Sequence, residues 1–154
     1  MSAPVRFHLD PDGDGLELLR RWMVPGAEVG GFPDRLGAYP VEAREGFVRM
    51  VCEIDPGHAN LAGLVHGGVM AALIDMAGGG AVMSMLTPGQ TLVTTDLTLR
   101  FLNAAPGNTA RLEATGTVTW HDARKAVVSA EVRTDAGLVV AQGTVGVAIR
   151  EKRP

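Results

Sequence analysis

One cysteine in 154 residues leaves nothing for an internal disulfide to pair with. A framework of stapled loops is excluded, so the chain must hold together by burying apolar side chains. Cys52 itself lies in an alternating stretch, where a small buried thiol is the expectation. Basic residues are also few: 14 Lys and Arg stand against 17 Asp and Glu, giving a net charge of -3 and a pI near 5.8. Duplex nucleic acid, whose binding leans on clustered positive charge, is a poor partner for such a surface. Low-complexity tracts and repeats of solenoid period are absent, and 46% hydrophobic against 20% charged residues is an ordinary globular mixture. One domain of common size is expected, with no linker. The first 25 residues carry Asp10, Asp12, Asp14 and Glu17 and no continuous apolar core, so no secretory signal is visible and the cytoplasm is the expected location.

Chemical motifs are sparse as well. No phosphate-cradling G-x-x-x-x-G-K-[ST] occurs, Ser84 and Ser129 lack a G-x-S-x-G elbow, and Cys52 has no helix N-terminus beside it. His58, His66 and Asp75 are the only plausible metal ligands in their region, and their spacing does not place them on one helical face. No metal is expected. Residues 61–86 are apolar enough to suggest a membrane span, but Asp75, His66 and several glycines interrupt them and no second span could bury them. A long core helix explains the stretch better.

What is present is a sequence of elements. Residues 16–23 form a short helix that stops before Pro25-Gly26 and is expected to pack at the periphery. Beyond a Gly- and Pro-rich loop, Arg44 to Ile54 alternates with Val48, Met50, Cys52 and Ile54 on one face, as a half-buried strand does. Asp55-Pro56-Gly57 ends it, the apolar helix follows, and Thr87-Pro88-Gly89 closes that helix. From Thr91 the period becomes two, with Val93, Thr95, Leu97, Leu99 and Phe101 opposite Thr94, Asp96, Thr98 and Arg100. Ala105-Pro106-Gly107-Asn108 turns the chain into Ala110, Leu112, Ala114, Gly116, Val118 and Trp120, again alternating. Lys125–Thr134, a Thr134-Asp135-Ala136-Gly137 turn and Leu138–Ile149 complete the pattern. Connections this short leave no room for crossover helices, which predicts an antiparallel α+β architecture: one strand, one long helix, then a four-stranded meander. One helix cannot cover such a sheet, so its apolar surface and open edges favour dimerisation.

The long helix carries a single carboxylate, Asp75, whose burial in charged form needs a partner or a use. Its neighbours three and four positions away are Ala71, Ala72, Gly78 and Gly79, all tiny. The run Gly78-Gly79-Gly80 either caps the helix or lets a ligand or partner backbone come close. His66-Gly67-Gly68 lies where the helix should begin, and its unpaired amides there suit a developing oxyanion, although Gly-Gly is also ordinary turn chemistry. A structural ion pair between Asp75 and an arginine is the plainer alternative.

Asn60-x5-His66-Gly67-Gly68-x6-Asp75, followed by Thr94-Thr95-Asp96 and an antiparallel meander, resembles the hotdog-fold acyl-CoA thioesterases, most closely the branch with the phenylacetate-pathway enzymes. The resemblance runs from Phe32 to Ile149, which divides the chain into an extension over 1–31 and a hotdog domain over 32–150. It implies one central helix wrapped by a curved sheet, hydrolysis of a thioester to free acid and CoA, no cofactor beyond the CoA of the substrate, and a homodimer that often pairs into a tetramer. By the same resemblance Asp75 is general base or nucleophile, the Gly67 amide polarises the carbonyl, Asn60 and His66 help position water or acyl group and shape the turn, and Thr94 holds the water. Gly68, Phe101, Leu102 and Asn103 would line the pantetheine path, and Arg124 and Lys125 would meet the CoA phosphates, unless those two are simply solvated. Asn60 and Gly67 of one protomer would face Asp75 of the other.

That last implication has independent support, because Asp75 lies more than two turns from Gly67, about 12 Å at 1.5 Å per residue, too far to share one carbonyl. Two alternatives remain at the level of sequence. A hotdog hydratase would use His in an Asp-x-x-x-Pro-x-His arrangement, which this chain lacks. A non-catalytic acyl-CoA sensor would share the pocket, but it would be expected to carry a fused partner domain.

Overall fold

The structure, a computed structural model, describes residues 13–153. The first helix, α1 (Gly15–Trp22), is capped by Asp14, whose carboxylate accepts from the Glu17 N–H at 2.8 Å. It is less peripheral than its sequence suggests, since Leu18 and Leu19 are buried and Leu19 belongs to the core. A short helix α2 (Phe32–Leu36) and a strand β1 (Ala38–Arg44) occupy the segment read as loop. The predicted strand from Arg44 to Ile54 is therefore corrected: Gly46, at φ +75°, makes a turn, and only β2 (Phe47–Glu53) continues. Val48, Met50 and Cys52 do share its buried face. A single 3-10 turn, Pro56–His58, leads to the loop before α3 (Gly67–Met83).

Four strands follow: β3 (Gln90–Phe101), β4 (Arg111–His121), β5 (Lys125–Thr134) and β6 (Val139–Glu151). All pairs are antiparallel, in the order β1-β2-β4-β5-β6-β3. The expected four-stranded meander thus holds only for β4 to β6. β3 pairs with β6, and residues 102–110 carry the chain across the end of the sheet to β4, held there by Val65 N–H on Ala105 O (3.1 Å) and Ile54 N–H on Ala110 O (2.9 Å). Six strands wrapped around one apolar helix is the hotdog arrangement that the resemblance implies.

Two features set how α3 lies on the sheet. The helix runs unbroken through Gly78-Gly79-Gly80, so the cap reading fails and the close-approach reading holds, with a change of partner. It is the chain's own sheet that approaches: a Cβ at Gly78 would stand 2.6 Å from Val145 Cγ2, and one at Gly116 would stand 2.3 Å from the Ala77 carbonyl oxygen. The second feature is a bulge in β3. Thr94 pairs with Val147 and Asp96 with Gly146, leaving Thr95 unpaired. The side chains switch faces there, so Thr94 points to the helix side with Leu97, Leu99 and Phe101, contrary to the strict alternation read from the sequence. A second bulge between Val118 and Trp120 turns Trp120 outward, where it is exposed.

Candidate active site

The loop before α3 is built from backbone bonds that aim its side chains. Asn60 closes a tight turn, its Oδ1 accepting from the N–H groups of Ala62 (2.9 Å) and Leu64 (3.1 Å). Its side-chain NH2 has no partner among the described residues. His66 N–H bonds His58 O at 2.8 Å, and the His66 ring caps the helix, Nδ1 accepting from Gly68 N–H at 2.8 Å. A neutral His66 that accepts at Nδ1 carries its proton on Nε2. With Gly68 N–H occupied and Val69 N–H bonded to His66 O, the remaining first-turn amide is Gly67 N–H, which has no acceptor among the described residues. An unpaired amide at the positive end of a 17-residue apolar helix is a donor waiting for an oxygen.

Phe101, at the end of β3, lies over Gly67, its Cζ 3.1 Å from where a Cβ would be. Beside this contact a cavity of about 310 Å³ is lined by Asn60, Gly67, Phe101, Leu102 and Asn103, five of the residues singled out by sequence. Leu64, Val65 and Met70 form its apolar wall and were not anticipated. The available signal was only that they flank the helix start. Asn103 is anchored from outside, its Nδ2 donating to Val139 O at 2.8 Å.

Asp75 and Thr94 meet elsewhere, halfway along α3. The Thr94 hydroxyl donates to Asp75 Oδ1 at 2.7 Å. Thr94 therefore occupies the position that the plainer reading reserved for an arginine, and among the described residues Asp75 has no ion-pair partner. Both residues are half-buried, on the one face of α3 that its own sheet leaves partly open. The carboxylate keeps Oδ2 for something else.

Arg124 and Lys125 sit on the β4–β5 turn, where Asp122 Oδ1 accepts from both backbone amides at 2.8 Å. Those bonds hold the Asp122 carboxyl below its usual pKa, the Arg124 amide contributing most. Lys125 pairs with Ala148, and Ala148 pairs with Val93, so this basic turn lies level with Val93. Phe101 is eight residues further along β3, about 25 Å at the rise of an extended strand. The structure thus gathers these residues into two separate clusters, Asn60–Gly67–Phe101–Asn103 and Asp75–Thr94, with the basic turn beyond the second.

Elsewhere, a larger concavity of about 680 Å³ lies between α1, α2 and β1 and holds none of these residues. β1 and β3 are opposite edges of the sheet, and neither Asp75 nor Thr94 lines the larger groove. Cys52 is fully buried and donates to Leu36 O at 3.2 Å, and burial pushes its thiol up to about 12, which makes it inert packing. No helix among the described residues is long and apolar enough to cross a membrane.

Comparison with known proteins agrees with this fold. The model of the thioesterase superfamily matches residues 62–141, just over half of the chain and inclusive of Gly67, Asp75 and Thr94. Among solved structures, a hypothetical thioesterase from Streptococcus pneumoniae determined with coenzyme A is 21% identical, with 76% of this chain and 88% of that chain covered at a TM-score of 0.67. The PaaI protein of the Escherichia coli phenylacetic acid degradation operon is 22% identical over 78% of this chain and 84% of its own, at 0.69. A thioesterase from Haemophilus influenzae is 20% identical over 88% and 90%, at 0.74. At these identities the likeness is one of fold. No curated protein sequence matches the chain.

Proposed function

The chain belongs to the thioesterase superfamily, and on that premise we propose that it hydrolyses an acyl-CoA thioester to a carboxylic acid and CoA at a site shared by two protomers. The observation that carries the reading is the Thr94 to Asp75 hydrogen bond, 2.7 Å, on the open face of α3. It orients the carboxylate, leaves Oδ2 free as a base, and leaves lone pairs on the Thr94 oxygen to accept from a water molecule. Water attacks the thioester carbon while Asp75 takes its proton, and the carbonyl oxygen, becoming an oxyanion, accepts from a Gly67 amide. Collapse of the tetrahedral intermediate breaks the C–S bond and releases the thiolate, a far weaker base than an alkoxide, which leaves without a strong general acid. No cofactor is required. Asn60, through its unpaired NH2, and His66, as helix cap, position the acyl end.

The two halves come from different subunits. Asp75 and Gly67 of one protomer are about 12 Å apart along the helix, beyond the reach of a single carbonyl. β3 is a 12-residue edge strand with an unpaired ladder, and it exposes Val93, Leu97 and Phe101. A second copy added along that edge covers the open face of α3 and brings Gly67 of the partner subunit toward Asp75. The likeness to the S. pneumoniae thioesterase determined with coenzyme A favours a CoA ester as substrate, and the basic Arg124–Lys125 turn supplies charge for its phosphates.

The test is release of free thiol from aryl-, short- and long-chain acyl-CoAs by the wild type and by Asp75→Asn. Turnover that falls at least about a hundredfold in the variant is expected for loss of the base. Saturable binding without turnover in either protein refutes hydrolysis and makes the chain an acyl-CoA sensor. Turnover in 18O water separates base from nucleophile, since only a nucleophilic Asp75 acquires the label.

A further inference from the structure

Thr94 and the row Leu97, Leu99 and Phe101 face α3 together only because β3 is bulged. With unbroken alternation Thr94, Asp96, Thr98 and Arg100 would share one face, and either the Thr94 hydroxyl or the apolar row would be turned away from α3. The unpaired residue, Thr95, adds one position, so Thr94 turns inward while Asp96 stays outward. A bulge needs something to hold it against the regular register, and two contacts do so here. The Thr95 hydroxyl donates to Asp96 Oδ1 at 2.8 Å. The same carboxylate lies flat over Gly146, where a Cβ would stand 2.0 Å from Oδ1, 2.7 Å from Cγ and 2.9 Å from Oδ2. Gly146 sits opposite Asp96 in β6, beside Val147, whose side chain points into the core. The missing side chain is a notch that the Asp96 carboxylate fills.

We propose that Asp96 and Gly146 are positioning residues for the reaction: together they lock the bulge at Thr95 and so place the Thr94 hydroxyl on Asp75. This rests on the hydrolase reading for its kinetic consequence but not for its structural one. Asp96 touches no substrate in the scheme. Its effect passes through Thr94, and a general loss of stability would not follow that route.

The experiment measures kcat and KM on the best acyl-CoA of the panel for wild type, Asp96→Ala, Asp96→Asn, Thr94→Ala and Thr94→Ala/Asp96→Ala. In parallel, cross-strand amide contacts in NMR report the β3–β6 register of wild type and Asp96→Ala. Asp96→Ala should lower kcat about tenfold, the worth of a hydrogen bond to a charged group, with KM little changed. Asp96→Asn, which retains an acceptor for Thr95, should restore most of it. In the Thr94→Ala background the Asp96 substitution should cost nothing further, and the contacts pairing 94 with 147 and 96 with 146 should be lost in Asp96→Ala. Equal loss from Asp96→Ala in both backgrounds, or an unchanged register, overturns the proposal. A wild type that hydrolyses nothing fails the hydrolase reading alone, and the register measurement then decides the clamp by itself.

Discussion

Replacing Gly78 by alanine should destabilise the protein even though it improves the helix. A Cβ there would meet three atoms of Val145, at 2.6, 2.7 and 2.8 Å, whereas carbon atoms rest comfortably at about 3.5–4.0 Å. Helix and sheet must separate by about 1 Å or Val145 must leave its rotamer, an overpacking that costs about 1–3 kcal/mol. Alanine returns about 1 kcal/mol through helix propensity. The net cost is about 0–2 kcal/mol, centred on about 1 kcal/mol, and for a chain of this size the melting temperature should fall by about 2–4 °C at the centre of that range and by at most about 8 °C in calorimetry. Gly80→Ala is the control: its Cβ would stand 3.0 Å from Val48 Cγ1, a few tenths short of comfort, with Val48 Cβ and Cγ2 at an ordinary 3.5 Å, so gain and cost should cancel. Val145→Ala removes the obstacle, and the Gly78→Ala/Val145→Ala pair should be less destabilised than the sum of the singles by about 1 kcal/mol or more. Because Gly78 lies one turn beyond Asp75, the single variant should also loosen the Asp75–Thr94 bond and lower kcat. Additive energies, or a Gly80→Ala that costs more than Gly78→Ala, would refute the claim that helix–sheet contact demands glycine at 78.

Gly67→Ala should leave the fold intact but push the Phe101 ring off the helix start, lowering turnover at least about tenfold through the displaced amide; steady-state kinetics beside a normal circular-dichroism melt would check it. Acid sensitivity should trace partly to Glu53, whose carboxyl is held below its usual range by the Tyr39 hydroxyl first and by Arg111 second. A depressed folded-state pKa stabilises above the unfolded value, about 4.3, and that contribution disappears as pH falls through the folded value. Melting temperatures from pH 6 to pH 3 should therefore decline less steeply in Glu53→Gln than in wild type, by a small margin because the pair is half exposed; parallel curves would remove Glu53 from the account.

Much of the site was legible because it rests on short-range chemistry. His66-Gly67-Gly68 announces a helix start by its residue types alone, and the ring-to-amide bond from His66 to Gly68 spans only two residues. Asn60 similarly closes its own turn. Asp75 stood out because a carboxylate among Ala and Gly is anomalous at the level of composition. β1 was missed because Val41 bulges out of register opposite β2 and Pro40 interrupts the pattern. The pairing of β3 with β6 was also out of reach, since a nine-residue crossing connection reads like any turn.

Residue order by itself determined where the elements other than α2 and β1 lie, that the sheet is antiparallel, that one apolar helix is its core, and which residues begin that helix; periodicity and capping are local and need only neighbours in the chain. Three things were decided by tertiary structure. The glycine run in α3 answers to Val145 and Val48, which lie on other strands. The cavity at Gly67 forms because Phe101 and Asn103 return to it from the end of β3. Thr94 faces Asp75 because one unpaired residue shifts the register of a single edge strand, and a register belongs to two strands at once, so neither sequence segment contains it alone.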